Sequence, residues 1–466
     1  MAAERLLRRR RCWVLAAFMG FVLPLLGAPS LGSAEKPNEP PFFAIQNARI
    51  VTGTGQVIEG GTIVVANGLI SGVGAQVTIP PEAWVIDGTE LTIYPGLIDA
   101  LGDLGLNGGG PPAPNAGRAG GPPAGGNRQR EPAAKGPEDR PSTTSWKCAA
   151  DEIKADDKRL ERWRNAGFTS AVTAPKEGIL PGQAAFINLA GERPREMVVK
   201  TPVALKTSLD PPGGFRSFPG SLFGVIAYLR QVFSDADHYK TAWSIYEANP
   251  NGVERPAYDR SLEPLIQAKT DSWPVLIPAQ WSKEIKRAIK LGDELGVQTV
   301  IYGGHQGYDA LDVLKENNVP VLVSLEWPEP AKDADPEAEE SLRVLRLRDK
   351  APSTPAAFQK AGVKFAFYSD GLKDPKDIIK KAGKAVEAGL SKDAALQALT
   401  QNAADIFGVG ERLGSLSKGK IANLMVTDGD LFGEDTKVKM VFVDGRKYTV
   451  RESDMPEGPM PGRGSN

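Results

Sequence analysis

Histidine is the side chain that most often binds a metal or moves a proton near neutral pH, and this chain of 466 residues has two, His238 and His305. Cysteine is as scarce, with Cys12 and Cys148 alone, which excludes a zinc site built from several thiolates. Chemistry therefore falls to carboxylates with His305 beside them. Asp370 stands in Tyr368-Ser369-Asp370-Gly371, Glu326 ends the apolar run Val321–Leu325, Asp103 follows another apolar run, and His305 sits in Gly303-Gly304-His305-Gln306-Gly307. Together Asp103, Glu326, Asp370 and His305 form a candidate oxygen-rich site for a hard ion such as Mg²⁺ or Mn²⁺. Each also has a plainer reading. Asp370 can bond the amides of its own turn, His305 can be a loop residue bonded to backbone, and His238, within Ser-Asp-Ala-Asp-His-Tyr-Lys, suits an exposed helix face. The glycines around His305 lack the G-x-G-x-x-G spacing of a dinucleotide loop. No G-x-S-x-G elbow supplies a serine nucleophile.

These groups must be positioned by elements, and the elements change character along the chain. Residues 42–93 alternate apolar and polar, with Gly and Asn turns between short runs, which predicts a small β-domain. Leu424–Val426 and Val438–Val443, the latter ending in Asp444-Gly445, predict strands near the other end. Between them, apolar strands alternate with helices. Residues 273–279 read as a strand, Ser282 as the cap of a helix with Ile285, Ala288, Ile289 and Leu295 inward, and Gly296 as its stop. Val297–Tyr302, Val319–Leu325 and Val363–Tyr368 predict further strands, with helices over 307–318 and from Asp374 onward. Such alternation means a parallel sheet covered on both faces, either an eight-stranded barrel or an open doubly wound sheet. The acidic pair Asp156-Asp157 and the Arg/Lys-rich run 341–350 read as solvated helix faces.

Two segments stand outside this scheme. Residues 1–34 place five arginines ahead of an apolar run from Trp13 to Leu26, then small residues. That is the pattern of a cleaved signal peptide, and the run is short for a membrane span. A periplasmic or extracellular protein without a stable membrane anchor is expected, and removal of Cys12 leaves no partner for an internal disulfide. The leader carries a net +4 against a chain total of −1, so the remainder is mildly acidic. No basic stripe with interleaved aromatics points to nucleic acid. Residues 106–145 are dominated by Gly, Pro, Ala, Asn and Arg, and read as a disordered insertion unable to offset its ordering entropy.

At Ile93-Tyr94-Pro95-Gly96-Leu97-Ile98-Asp99-Ala100 the chain resembles the first barrel strand of the amidohydrolase superfamily, which reads PGLIDAH-x-H. Residues 42–74 and 413–445 are similar to that family's N-terminal β-segment and C-terminal return. AGVKFAFYSDGLKDP and AVEAGLSKDAALQALTQNAADIFGV are similar to its eighth strand and the helices that follow. The branch resembled is the imidazolonepropionase-like one. The resemblance implies a (β/α)8 TIM-type barrel over 94–407, with a small β-sandwich formed by both chain ends, 42–93 and 408–450.

It also implies hydrolysis of non-peptide carbon–nitrogen bonds, amide or cyclic amide, by one or two divalent metals that activate water. The family's ligand positions fall here at Leu101, Asp103, Pro278, Gly303 and Asp370. Leu101, Pro278 and Gly303 cannot ligate through side chains; Asp103 and Asp370 are the candidate metal ligands, and Asp370 with His305 the candidate catalytic pair. The expectation is a degenerate member with no cofactor, and Zn²⁺, Mn²⁺ or Mg²⁺ only if an altered site functions. Its candidate partners are a small amide-like ligand, a second copy of the chain, or a paralogue that supplies the chemistry.

Overall fold

The computed structural model describes residues 42–106, 140–212, 218–330, 339–433 and 435–450. The leader at 1–34 and most of the 106–145 insertion lie outside the described residues. Both chain ends build one sheet. Its N-terminal strands are β1 (Phe42–Val51), β2 (Val57–Ala66), β3 (Leu69–Gly74), β4 (Trp84–Asp87) and β5 (Thr92–Pro95). A second eight-stranded sheet holds β6 (Leu97–Gly102), β7 (Phe168–Thr173), β8 (Gly182–Asn188), β9 (Val198–Lys206), β10 (Pro274–Ala279), β11 (Gln298–Gly303), β12 (Val321–Ser324) and β13 (Phe365–Tyr368). The chain then returns to the first sheet with β14 (Leu424–Thr427), β15 (Val438–Val443) and β16 (Arg446–Thr449).

The second sheet runs in chain order from β6 to β13 and curls into a TIM-type barrel with helices between strands. One strand departs from the eightfold βα pattern: β8 is antiparallel to both β7 and β9. Residues 174–181 between β7 and β8 are too few for a crossover, which takes a dozen or more, so this pair is a hairpin. Barrel closure between β6 and β13 rests on Asp99. Its carboxylate accepts from the Ser369 amide at 2.9 Å and the Ser369 hydroxyl at 2.8 Å. Gly102 admits that carboxylate, because a Cβ there would lie 2.7 Å from Asp99 Oδ2.

Apolar side chains fill three regions. The barrel interior holds Ile98, Ala100, Val172, Phe186, Ala204, Leu276, Val300, Leu322 and Ala366. A larger layer lies between barrel and helices, with Phe168, Ile277, Ile301, Val323, Ile285 and Leu295. The chain-end sheet, ordered β16-β15-β14-β5-β1-β2-β3 with β4 beside β1, encloses Phe43, Ile45, Ile50, Ile63, Ile93, Leu424 and Phe442. Alternation over 42–93 correctly indicated these strands; it could not show that β5 and β14 would pair with the whole barrel lying between them in the chain.

Local details refine the expectations. The helix Ser282–Leu295 starts where predicted and stops at Gly296, φ 67°, but its cap lies one residue earlier, at Trp281. Glu284 reaches back to accept from the Gln280 and Trp281 amides at 2.9 and 3.1 Å, the carboxylate half of a capping box. The stretch 307–318 is a short turn of 3₁₀ helix, Gly307–Asp309, then Leu311–Glu316. Asp157, expected on a solvated face, caps the helix Lys158–Asn165 and also accepts from the Gly105 amide at 3.0 Å. Residues 140–145, the end of the expected disordered insertion, are packed. Arg140 pairs with Asp235 and Asp259, and Ser145 is buried with its hydroxyl on the Ser261 carbonyl. Among the described residues no helix is long and apolar enough to cross a membrane.

Candidate functional site

Seven of the eight barrel strands run the same way, so their C-terminal ends share one rim, where this architecture places its chemistry. Side chains alternate along each strand. Ala204, Leu276, Val300, Leu322 and Ala366 face the barrel interior, so the next inward layer toward the rim consists of Lys206, Pro278, Tyr302, Ser324 and Tyr368. The loops just beyond add Asp103, Lys176 and Asp370.

Asp370 is exposed at the end of β13 with a left-handed backbone, φ 49°. Its Oδ2 accepts from the Ser324 hydroxyl at 2.7 Å, so it bonds across to β12 rather than only within its own turn. Asp103 is clamped. Oδ1 meets Arg159 and Oδ2 meets Lys176, each at 2.8 Å. Burial alone would push its carboxyl up, but the two cations outweigh it and hold the group below the usual carboxylate range. His305 is buried, its Nε2 lies 3.0 Å from the Ser324 carbonyl, and its ring tilts against Trp327 at 5.5 Å. Burial pushes its pKa down, favouring the neutral ring. It braces the loop after β11 against β12. Glu326 is exposed and pairs with Lys381 at 3.2 Å, and His238 is exposed on the helix Leu222–Ala248. The structure thus brings Asp103 and Asp370 to one rim, commits His305 to backbone, and leaves His238 remote from the barrel mouth's inward layer.

A divalent metal does not fit the residues at the five ligand positions. Leu101 is buried in the barrel interior, and Pro278 offers only its ring. At Gly303, φ 113°, a Cβ would come within 2.9 Å of Gln280 Cδ and 3.0 Å of the Ala279 carbonyl. The space for a side chain there is already taken. Asp103 has each oxygen engaged by a cation. Among the described residues no group of three or more His, Cys, Asp or Glu is arranged to hold a metal.

Sequence reasoning missed the groups that do line the mouth. Lys206, half-buried at the end of β9, makes no hydrogen bond or ion pair among the described residues; its ammonium lies 6.0 Å from the centre of the Tyr302 ring. Burial pushes its pKa down to about 8, with Lys176 acting the same way and Asp103 and Asp370 opposing. Tyr302 donates to the Thr207 carbonyl at 2.9 Å and meets Tyr368 edge-on at 6.3 Å. Burial pushes both phenols up, so both keep their protons. The signal for Lys206 was its alternation with Ala204 in a strand that is otherwise apolar at its end.

Residues 278–448 match the sequence model of the amidohydrolase family. A solved amidohydrolase from Thermotoga maritima MSB8 is 25% identical, covers 88% of this chain and 100% of its own, and superposes with a TM-score of 0.71. Residues 278–448 thus carry the sequence pattern of the amidohydrolase family, on a fold shared with a solved amidohydrolase. More distant superfamily folds agree in architecture alone. Phenylurea hydrolase B is 14% identical, covering 90% of this chain and 99% of its own at a TM-score of 0.52. A Xaa-Pro dipeptidase with bound methionine is 18% identical, covering 88% and 100% at 0.50. No curated protein sequence matches the chain. In this amidohydrolase-like barrel the strand-end rim is present, and among the described residues it holds no group of three or more metal-ligating side chains.

Proposed function

We propose that this protein is a degenerate amidohydrolase, exported from the cytoplasm, whose barrel binds a small amide-like ligand without the family's metal-dependent hydrolysis. The observation that carries the reading is the clamp on Asp103. A metal site concentrates negative ligands around a cation, whereas here Arg159 and Lys176 supply the positive charge themselves, 2.8 Å from each oxygen. Fixed cations attract anionic and polar groups but do not lower the pKa of a coordinated water as a metal does. The leader with its arginine cluster supports export, and a histidine-complete paralogue is the partner that would restore chemistry to an assembly. Metal analysis of protein purified without chelator, with Zn²⁺ and Mn²⁺ offered during expression, tests the reading. Near-zero metal in folded protein is expected. About one equivalent, lost in Asp370→Asn, would overturn it.

One observation favours a second reading, an altered hydrolase that uses Asp370 as base. The carboxylate is exposed at the eighth strand end in a left-handed backbone, the kind of strain that concentrates at functional positions. In that case Asp370→Asn abolishes turnover of an amide or lactam; in a binding barrel it leaves ligand affinity largely intact.

A further inference from the structure

We propose that Lys206 makes the barrel mouth a binding site for a small monocarboxylate, whose oxygens pair with its ammonium. The inference rests on the metal-free reading above and adds to the small ligand proposed there a carboxylate as the group that anchors it.

Three features of the rim point to it. The neighbouring cations are already committed: Arg159 and Lys176 to Asp103, and Lys381 to Glu326. Lys206 alone of these four has no hydrogen bond or ion pair among the described residues, although its side chain rises inward from the end of β9. An ammonium with a midpoint near 8 holds its proton at neutral pH. A half-buried charge without a counter-ion is costly, and an anion delivered by a ligand removes that cost. Lys206, Pro278 and Tyr302 are all partly open to solvent.

The surroundings select the class of anion. Asp103 and Asp370 lie within electrostatic reach of Lys206, and they oppose a dianion more strongly than a single charge. One ammonium matches one carboxylate. The Tyr302 ring, 6.0 Å from the ammonium, and Tyr368 edge-on to it offer an aromatic surface that suits a compact apolar or aromatic body. The groups facing Lys206 that can alter its charge are Lys176 after β7, Asp103 after β6, Asp370 after β13 and the Tyr302 phenol on β11. Tyr302 keeps its proton, so the loss of binding above pH 8 reports Lys206.

The test is calorimetric titration of the full chain with benzoate, using neutral benzamide as the control and metal analysis on the same samples. Benzoate is expected to bind, with benzamide weaker by about 10- to 100-fold, the worth of one charge-assisted bond. Lys206→Met should lose benzoate by a similar factor. Above pH 8 wild-type affinity should fall about tenfold per pH unit, while Lys206→Arg, which stays charged, should still bind benzoate at pH 9.5. Circular dichroism confirms that each variant is folded, and Lys206→Arg serves if Lys206→Met is not. Failure of folded wild-type protein to bind benzoate overturns the proposal. Equal affinity for benzoate and benzamide, or full benzoate affinity in Lys206→Met, does so as well. A stoichiometric metal would instead refute the metal-free reading on which the proposal stands, so the two failures are told apart by the metal analysis.

Discussion

Asp99 shows how one side chain links sequence, closure and pH. It is 2% exposed, and burial pushes its carboxyl up to about 7, against the Ser369 and Leu101 hydrogen bonds that pull the other way. A carboxyl with a raised folded-state pKa contributes most below its unfolded value and loses that contribution as pH rises through the folded value. Stability should therefore decline between about pH 4 and 7. Asp99→Asn keeps an acceptor for Ser369 and cannot ionise, so its melting temperature should be flatter across that window than that of the wild type. Equal slopes for the two proteins would disprove the assignment. His305 yields a different residue-scale prediction. Its ring occupies the Ser324 carbonyl and packs on Trp327, so His305→Ala should cost about 1–3 kcal/mol in urea unfolding and leave benzoate binding near the wild-type value. Of the residues singled out from sequence, Asp370 and Asp103 do reach the rim. The clamp on Asp103 was illegible, because Arg159 arrives from a helix 56 residues away.

At the scale of elements, β11 and the helix that follows β10 explain why position 303 does not readily take a histidine. Gly303 ends β11 with φ 113° and has Gln280 and the Ala279 carbonyl against the position of any Cβ. Gly303→His should therefore destabilise the fold, by about 1–3 kcal/mol from backbone strain alone, and should not raise the metal content. Thermal melts and metal analysis of that variant check both halves. The neighbouring helix Ser282–Leu295 depends on Glu284, whose carboxylate takes two amides at its start. Glu284→Ala should cost about 0.5–2 kcal/mol, measured by urea unfolding. The periodicity of this helix was plain in the sequence, with Ile285, Ala288, Ile289 and Leu295 buried as expected. Its capping residue was not, because Ser282 carries the usual capping type but has its amide taken by Gln306.

For the whole molecule, the joint between the chain-end sheet and the barrel runs through Asn423. Its amide nitrogen donates to the Ser170 hydroxyl at 3.0 Å and to Asn188 Oδ1 at 2.9 Å, and its oxygen accepts from the Asp444 amide at 2.7 Å. Ser170 and Asn188 are buried, so Asn423→Leu would leave polar groups unsatisfied on both. A loss of about 2–4 kcal/mol is expected from stranding those groups without partners, read as a lower urea midpoint for a single transition. Two separate transitions would mean that sheet and barrel unfold independently, against a joint through Asn423.

Pattern and motif by themselves determined that strands alternate with helices, that both chain ends are β-structure, and that the chain has only two histidines to offer. Those properties are local, readable from periods of two and 3.6 and from residue identity at a motif position. Tertiary structure alone decided which way the rim's side chains face and which charges meet there. Lys206 closes a strand of mixed character, Val198–Lys206, and alternation puts it on the same face as Ala204 without telling whether that face turns inward. Only barrel closure sets its partners, because a strand's inner face is defined by the neighbours it curls against. The reversal of β8, the Asp99–Ser369 bond and the clamp on Asp103 depend likewise on contacts between distant segments, and distance along the chain hides them.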